Sequence, residues 1–176
     1  MISTARLLLR PFRIEDAETV QKLAGDPEVA ATTLTLPQPY SREAAVTWIA
    51  SHDPASLAGT GETFAITRAV DSALLGAVGL QVQARHRRAD LGYWVGREFW
   101  GCGFATEAVL GVLRFAFVEL NLHRVTAAVL GGNVASARVL QKVGMTLEGN
   151  LRDQVFKNET FRNLEHHGML ADEYSE

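Results

Sequence analysis

The sequence predicts a mixed α/β domain, with a twisted central sheet of about seven strands flanked by about four helices. Three observations predict it. Between Asp90 and Gly96, Leu91, Tyr93 and Val95 alternate with Gly92, Trp94 and Gly96, the period of a strand with two faces to satisfy. Ala105, Ala108, Val109, Val112, Leu113, Ala116, Phe117 and Leu120 recur at the three-and-four spacing of one helix face. Read along the whole chain, the elements follow the order β-α-α-β-β-β-α-β-α-β-β. That order admits several α/β folds.

Residues 5 to 12 form the first strand around Leu7, Leu8 and Leu9, and Pro11 confines it to an edge or terminus. Glu15 to Ala24 is a short helix whose inner face is Ala17, Val20, Leu23 and Ala24. Residues 25 to 40 hold three prolines and no period, so they read as an irregular crossing segment. Ser41 with Ala44 opens a helix carrying Val46, Trp48 and Ile49, and His52 to Gly61 follows as a loop. Phe64 to Ile66 and Leu74 to Leu80 pair across a turn at Val70-Asp71-Ser72. The basic run Arg85-His86-Arg87-Arg88 then reads as a solvated turn, with contact to an anion as its alternative.

Beyond the long helix, Val125, Ala127 and Val129 alternate in a strand. In the next helix Asn133 suits the N-cap, Lys142 the last turn and Gly144 the residue past the end. Strands at 146–156 and 164–170 complete the order.

A length of 176 residues, 47% of them apolar and 21% charged, suits one domain over 1–176 with a proper core. A net charge of −3 offers no bulk attraction for nucleic acid. The single cysteine, Cys102, excludes an intrachain disulfide and a multi-cysteine metal site. No apolar run reaches the roughly 20 residues of a membrane span, and the first residues are no signal peptide, so the expected location is cytoplasmic.

The chemistry-bearing stretch is W-G-C-G-F-A-T, Trp100 to Thr106, between the motif strand and the long helix. Gly101 and Gly103 permit backbone angles that other residues resist and a close approach to main-chain N–H groups. The first N–H groups of the helix have no intrahelical partner, and with the macrodipole they suit a phosphate. A nucleoside-triphosphate loop would need Gly-Lys-Ser/Thr, whereas Phe104 and Ala105 follow Gly103. A dinucleotide loop would need a third glycine where Thr106 stands.

Trp100-Gly101-Cys102-Gly103-Phe104-Ala105 resembles the acetyl-coenzyme A loop of the GNAT N-acetyltransferases, with Trp100 in place of the usual Gln or Arg. That tryptophan, with G-Y-W before it and A-T-E-A after it, is similar to the RimJ/RimL branch of ribosomal-protein N-terminal acetyltransferases. T-A-R-L-L-L-R-P near the start, then L-H-R-V, N-V-A-S-A-R-V-L-Q-K-V-G-M and L-E-G-N-L-R, extend the likeness over nearly the whole chain. The resemblance implies the GNAT fold, acetyl-CoA as cosubstrate without a metal, an amine acceptor, and an acceptor cleft formed in part by residues 25 to 40. Homodimerisation is compatible with the branch.

Under that resemblance the backbone from Trp100 through Gly101, Cys102, Gly103, Phe104 and Ala105 to Thr106 holds the diphosphate. N–H groups near Tyr93, Trp94 and Val95 point to the thioester carbonyl. Asn133 and Ser136 are read on their own as a helix cap and a hydroxyl bonded one turn back. In register with the branch, Asn133 instead meets the pantetheine arm or the carbonyl region and Ser136 donates to the departing sulfur, a thiolate of pKa about 8.5. Asp90 on the motif strand is the candidate base among Glu62, His86, Glu165, His166 and His167. Asn163 and His167 replace the aspartate and aromatic residue usual near the end, which loosens any transfer of acceptor choice. Cys102, at a helix N-terminus, is either a thiol of lowered pKa or an outward spacer. The rival readings are a coenzyme A binding module without turnover and an α/β nucleotide-binding domain.

Overall fold

In the computed structural model, which describes residues 1–175, one eight-stranded sheet organises the chain in the order β1-β2-β3-β4-β5-β6-β8-β7. The strands are β1 (Ile2–Ser3), β2 (Leu7–Arg10), β3 (Gly61–Arg68), β4 (Leu74–Gln83), β5 (Arg88–Val95), β6 (Arg124–Leu130), β7 (Thr146–Lys157) and β8 (Thr160–Leu170). Six helices accompany them among the described residues: α1 (Ala17–Ala24), α2 (Pro27–Thr32), α3 (Arg42–Ala50), α4 (His52–Leu57), α5 (Phe104–Arg114) and α6 (Val134–Lys142). Among the described residues only β5 and β6 pair in parallel, the consequence of a connection that crosses the sheet as α5; their neighbours pair antiparallel.

The strand alternation divides the core in two. On one face Leu91, Val95, Val125, Ala127 and Met169 pack with Val109 and Leu113 of α5 and Leu140 of α6. On the other, Trp94 and Ala77 pack with Val20 of α1, Val29 of α2 and Ile49 of α3. No described helix is long and apolar enough to cross a membrane.

The expected inner face of α1 is buried as read. Ser41 Oγ accepts from Ala44 N at 3.1 Å and opens α3, as its position implied. Two expectations are corrected. Residues 25 to 40 contain α2, because Asp26 Oδ1 accepts from Glu28 N at 2.8 Å and Pro27 occupies the first helical position, where its missing N–H costs nothing. Residues 52 to 61 contain α4, a single short turn-rich helix with no buried residue and so no apolar period to read. The two-residue β1 was not expected either, and the sheet has eight strands rather than seven. The long helix changes to a five-residue π turn at Phe115–Glu119, while Ala116 and Phe117 there remain buried.

Candidate active site

The site lies where β5 and β6 part. Their parallel ladder runs from Arg88 opposite Arg124 to Leu91 opposite Ala127 and stops. On its other edge β5 stays paired with β4 as far as Val95 opposite Gly76. Beyond Leu91, then, β5 has one edge without a partner strand. Gly96 N donates to Leu75 O at 2.8 Å, so the even positions of β5 turn their peptide groups toward β4. The odd positions Tyr93 and Val95 therefore turn theirs into the fork. The Val95 carbonyl is taken by the indole N–H of Trp100 at 2.7 Å.

That indole bond anchors the loop. Arg97–Phe99 makes one tight turn, Trp100 leaves it extended, and Gly101 and Gly103 adopt φ of 75° and 80°. These are left-handed angles that a side chain at either position would strain. Gly101, Cys102 and Gly103 are exposed, and Gly103 is the N-cap of α5, with no side chain bonded to the cap. The first intrahelical bond is Glu107 N to Gly103 O at 3.1 Å. The N–H groups of Phe104, Ala105 and Thr106 precede it, at the positive end of the helix. Phe104 is buried and fixes the turn to the core. Cys102 is exposed, with Sγ 3.6 Å from the Trp100 carbonyl oxygen.

Facing the fork from α6, Ser136 Oγ lies 2.7 Å from the Tyr93 hydroxyl. Burial lifts the Tyr93 phenol to about 12, the bond to Ser136 working in the opposite direction. The phenol is therefore protonated at neutral pH and can act as a donor. Asn133 caps α6, its Oδ1 accepting from Ser136 N at 3.1 Å, and its Nδ2 donates to Thr32 O at 3.1 Å. Both ends of its amide are engaged, so the cap role is realised and the carboxyl end of α2 is tied beside Ser136.

Lys157 reinforces that tie. Its ammonium donates to Ala30 O at 2.6 Å and to Thr33 O. Burial, and then the nearby Arg162, hold the Lys157 pKa below the ordinary lysine value. The Ala30 carbonyl also accepts from Thr33 N at 3.3 Å and from Thr33 Oγ1 at 3.1 Å, so Lys157, on a hairpin more than 120 residues away, adds a further donor there and takes up the Thr33 carbonyl beyond the helix end. No sequence pattern flagged Lys157, whose partners are main-chain atoms.

The structure gathers Tyr93, Val95, Trp100 to Thr106, Asn133 and Ser136 around the fork. It does not bring Asp90 there. Asp90 shares a face with Gly92 and Trp94, opposite to that of Tyr93, and lies on the paired part of β5. Its carboxylate accepts from Thr126 Oγ1 and from Gln83 Nε2, the latter at 3.3 Å, which makes it a cross-strand tie. Trp94 is buried against the α1–α3 layer, with its ring 6.4 Å from Trp48. Glu62 lies two strands from β5 and accepts from Ser56 Oγ at 2.9 Å. His86 sits in the turn before β5, at the end remote from Val95. His167 is fully buried, with Nε2 3.5 Å from Glu165 Oε2 and neither ring nitrogen hydrogen-bonded. His166 is next on β8, opposite Ala128.

An exposed amide-rich loop, an unpaired strand edge and a hydroxyl pair at their junction suit a thioester carried on a diphosphate-containing arm. The acetyltransferase (GNAT) domain family matches residues 6–146. The chain is similar to the uncharacterized N-acetyltransferase YoaA of Bacillus subtilis, 34% identical over 161 residues that cover 91% of this chain and 90% of that one. It is also 28% identical over 164 residues to the spermidine N(1)-acetyltransferase of Escherichia coli, covering 93% and 85%. Among solved structures, RimJ of Mycobacterium smegmatis in complex with CoA-disulfide superposes with a TM-score of 0.88 at 23% identity, covering 99% of this chain and 89% of that one.

Proposed function

The chain belongs to the GNAT acetyltransferase family, and from that premise we propose that it carries the acetyl group of acetyl-CoA to a primary amine by direct attack in a ternary complex. The acceptor is a protein N-terminal α-amine of the ribosomal type or a small amine. The putative ribosomal N-acetyltransferase YdaF of Bacillus subtilis, 33% identical over 105 residues, and the spermidine enzyme support these two acceptor classes. A cytoplasmic location belongs to the same reading.

One observation carries the proposal: the edge of β5 opens beside an exposed phosphate-type loop, with the Tyr93–Ser136 pair at the junction. Loop N–H groups from Gly101 to Thr106 hold the diphosphate. The amine lone pair attacks the thioester carbon, a C–N bond forms, and charge moves onto the carbonyl oxygen. The N–H groups of Tyr93 and Val95 face that oxygen, and one such donor lowers a barrier by about 3 to 4 kcal/mol. The C–S bond then breaks, and its electron pair leaves on sulfur. Ser136 Oγ, backed by the Tyr93 phenol, donates a hydrogen bond to the thiolate. A phenol near pKa 12 cannot give its proton outright to a thiolate of pKa about 8.5, so the pair stabilises rather than protonates. An α-amine with pKa near 8 is partly neutral at neutral pH, so no strong base is needed before attack, and the nitrogen of the adduct gives its proton to solvent water as the amide forms.

Thiol release from acetyl-CoA, followed over a panel of N-terminal peptides, polyamines and amino acids, tests this function. Coenzyme binding with no release toward any amine would instead favour a binding module. The β7–β8 hairpin exposes Leu147, Leu151, Phe156 and Phe161, which supports homodimerisation through that edge; sedimentation velocity decides it.

A further inference from the structure

Two stretches about a hundred residues apart meet beside the loop. Glu107, in the first turn of α5, accepts through Oε1 from Thr4 Oγ1 at 2.6 Å and from Arg6 N at 2.7 Å. Its Oε2 accepts from Arg6 Nε at 2.7 Å. The same guanidinium donates through Nη1 to the Cys102 carbonyl at 3.1 Å and stands 4.7 Å from the centre of the Phe104 ring. A Cβ added at Gly103 would lie 3.4 Å from Arg6 Nη2. Arg6 thus spans the loop from Cys102 to the N-cap, while half of its side chain remains exposed.

A carboxylate in the first turn of a helix stabilises the bare terminus, because the local potential is positive. When a diphosphate must occupy that terminus, the same carboxylate repels it at close range. Glu107 is ionised. Partial burial opposes its charge, but the bonds from Thr4 and Arg6 outweigh burial and hold its pKa below the usual glutamate value. Without Arg6, the loop would present a neighbouring negative charge to an incoming anion.

Building on the acetyl-CoA reading, we infer that Arg6 is a positioning residue for the coenzyme: it cancels the charge of Glu107 and braces the Cys102 carbonyl, so that the loop N–H groups face outward toward a diphosphate. Its charge and its bond to Cys102 act together. The N-terminal T-A-R stretch thereby becomes part of coenzyme recognition, although it lies outside the loop.

Calorimetric titration of coenzyme A tests the inference on the full chain. Arg6→Met should weaken binding at least tenfold, Arg6→Lys should fall between it and the wild type, and Arg6→Met combined with Glu107→Gln should recover most of the loss. Ionic strength separates charge cancellation from a merely structural tie: a deficit from uncancelled charge in Arg6→Met should shrink as salt rises, whereas the cost of a lost tie persists and would overturn the inference. An Arg6→Met affinity equal to wild type, or a double variant no tighter than Arg6→Met, overturns the inference and leaves the acetyltransferase reading intact. Should Arg6→Met fold poorly, Arg6→Lys decides: binding as tight as wild type overturns the role assigned to the guanidinium fork. A wild-type chain that ignored coenzyme A would remove both.

Discussion

The Tyr93 hydroxyl and Ser136 Oγ, 43 residues apart in the chain, stand 2.7 Å apart at the point where β5 and β6 separate. Neither residue reaches the other through local structure; the pairing needs α6 docked over the open end of the fork. If the pair stabilises the leaving thiolate, Tyr93→Phe and Ser136→Ala should each lower kcat about tenfold to a hundredfold, the loss of one charge-assisted hydrogen bond, with KM for acetyl-CoA little changed. The double variant should lose scarcely more than the worse single one, because the two hydroxyls act as a unit. Steady-state kinetics on the four proteins checks this.

The elevated Tyr93 pKa also has a consequence for stability. The phenol ionises near 10 in the unfolded chain and near 12 in the fold, so its contribution is complete below pH 10. As pH rises from 10 to 12 the unfolded state loses the proton first, and that contribution disappears. Urea midpoints across this range should fall more steeply for wild type than for Tyr93→Phe.

Lys157 holds the carboxyl end of α2 through two carbonyls, and Asn133 holds it through a third. Lys157→Met should cost about 1 to 3 kcal/mol, since it leaves the Thr33 carbonyl without its charged donor, while the Ala30 carbonyl keeps those of Thr33. Amide exchange in residues 28 to 36 should speed up. Because α2 opens the segment expected to border the acceptor, KM for the amine should rise severalfold while KM for acetyl-CoA stays constant.

Asp90 ties β4 to β6 through Gln83 and Thr126, on the sheet face away from Tyr93. Asp90→Asn keeps an acceptor for Thr126. It should leave kcat within about threefold of wild type and leave the acidic limb of the pH–rate profile in place, as expected for a group outside the proton path. Loss of that limb would restore Asp90 as the base.

Gly103 has a φ of 80° at the helix N-cap. Gly103→Ala forces a Cβ into that left-handed angle at a cost of about 1 to 2 kcal/mol, and relaxation of the loop would turn the N–H groups away. KM for acetyl-CoA should rise tenfold or more with kcat less affected, as kinetics at saturating amine would reveal.

The loop and its flanking elements were legible because their signals are local. Alternation across Leu91 to Val95, the helical spacing from Ala105, and caps at Ser41 and Asn133 each depend on a few neighbouring residues. Short helices escaped: α2 and α4 are six residues each, too brief for an apolar period, although Asp26-Pro27 carried a cap signal. The double role of Asn133 was legible only in part, since its cap partner is three residues away and its tether partner Thr32 is 101 residues away.

From its own residues, then, the chain determines the mixed α/β class, the exposed glycine loop before α5 and the N-cap of α6, because backbone sterics and side-chain period act over one or two turns. Tertiary structure alone decided the fork between β5 and β6, the Tyr93–Ser136 pair, the Lys157 clamp and the place of Arg6 against Glu107. Those depend on strand order and on where each ladder ends, and such relations arise only when distant segments compete to bury the same apolar surface.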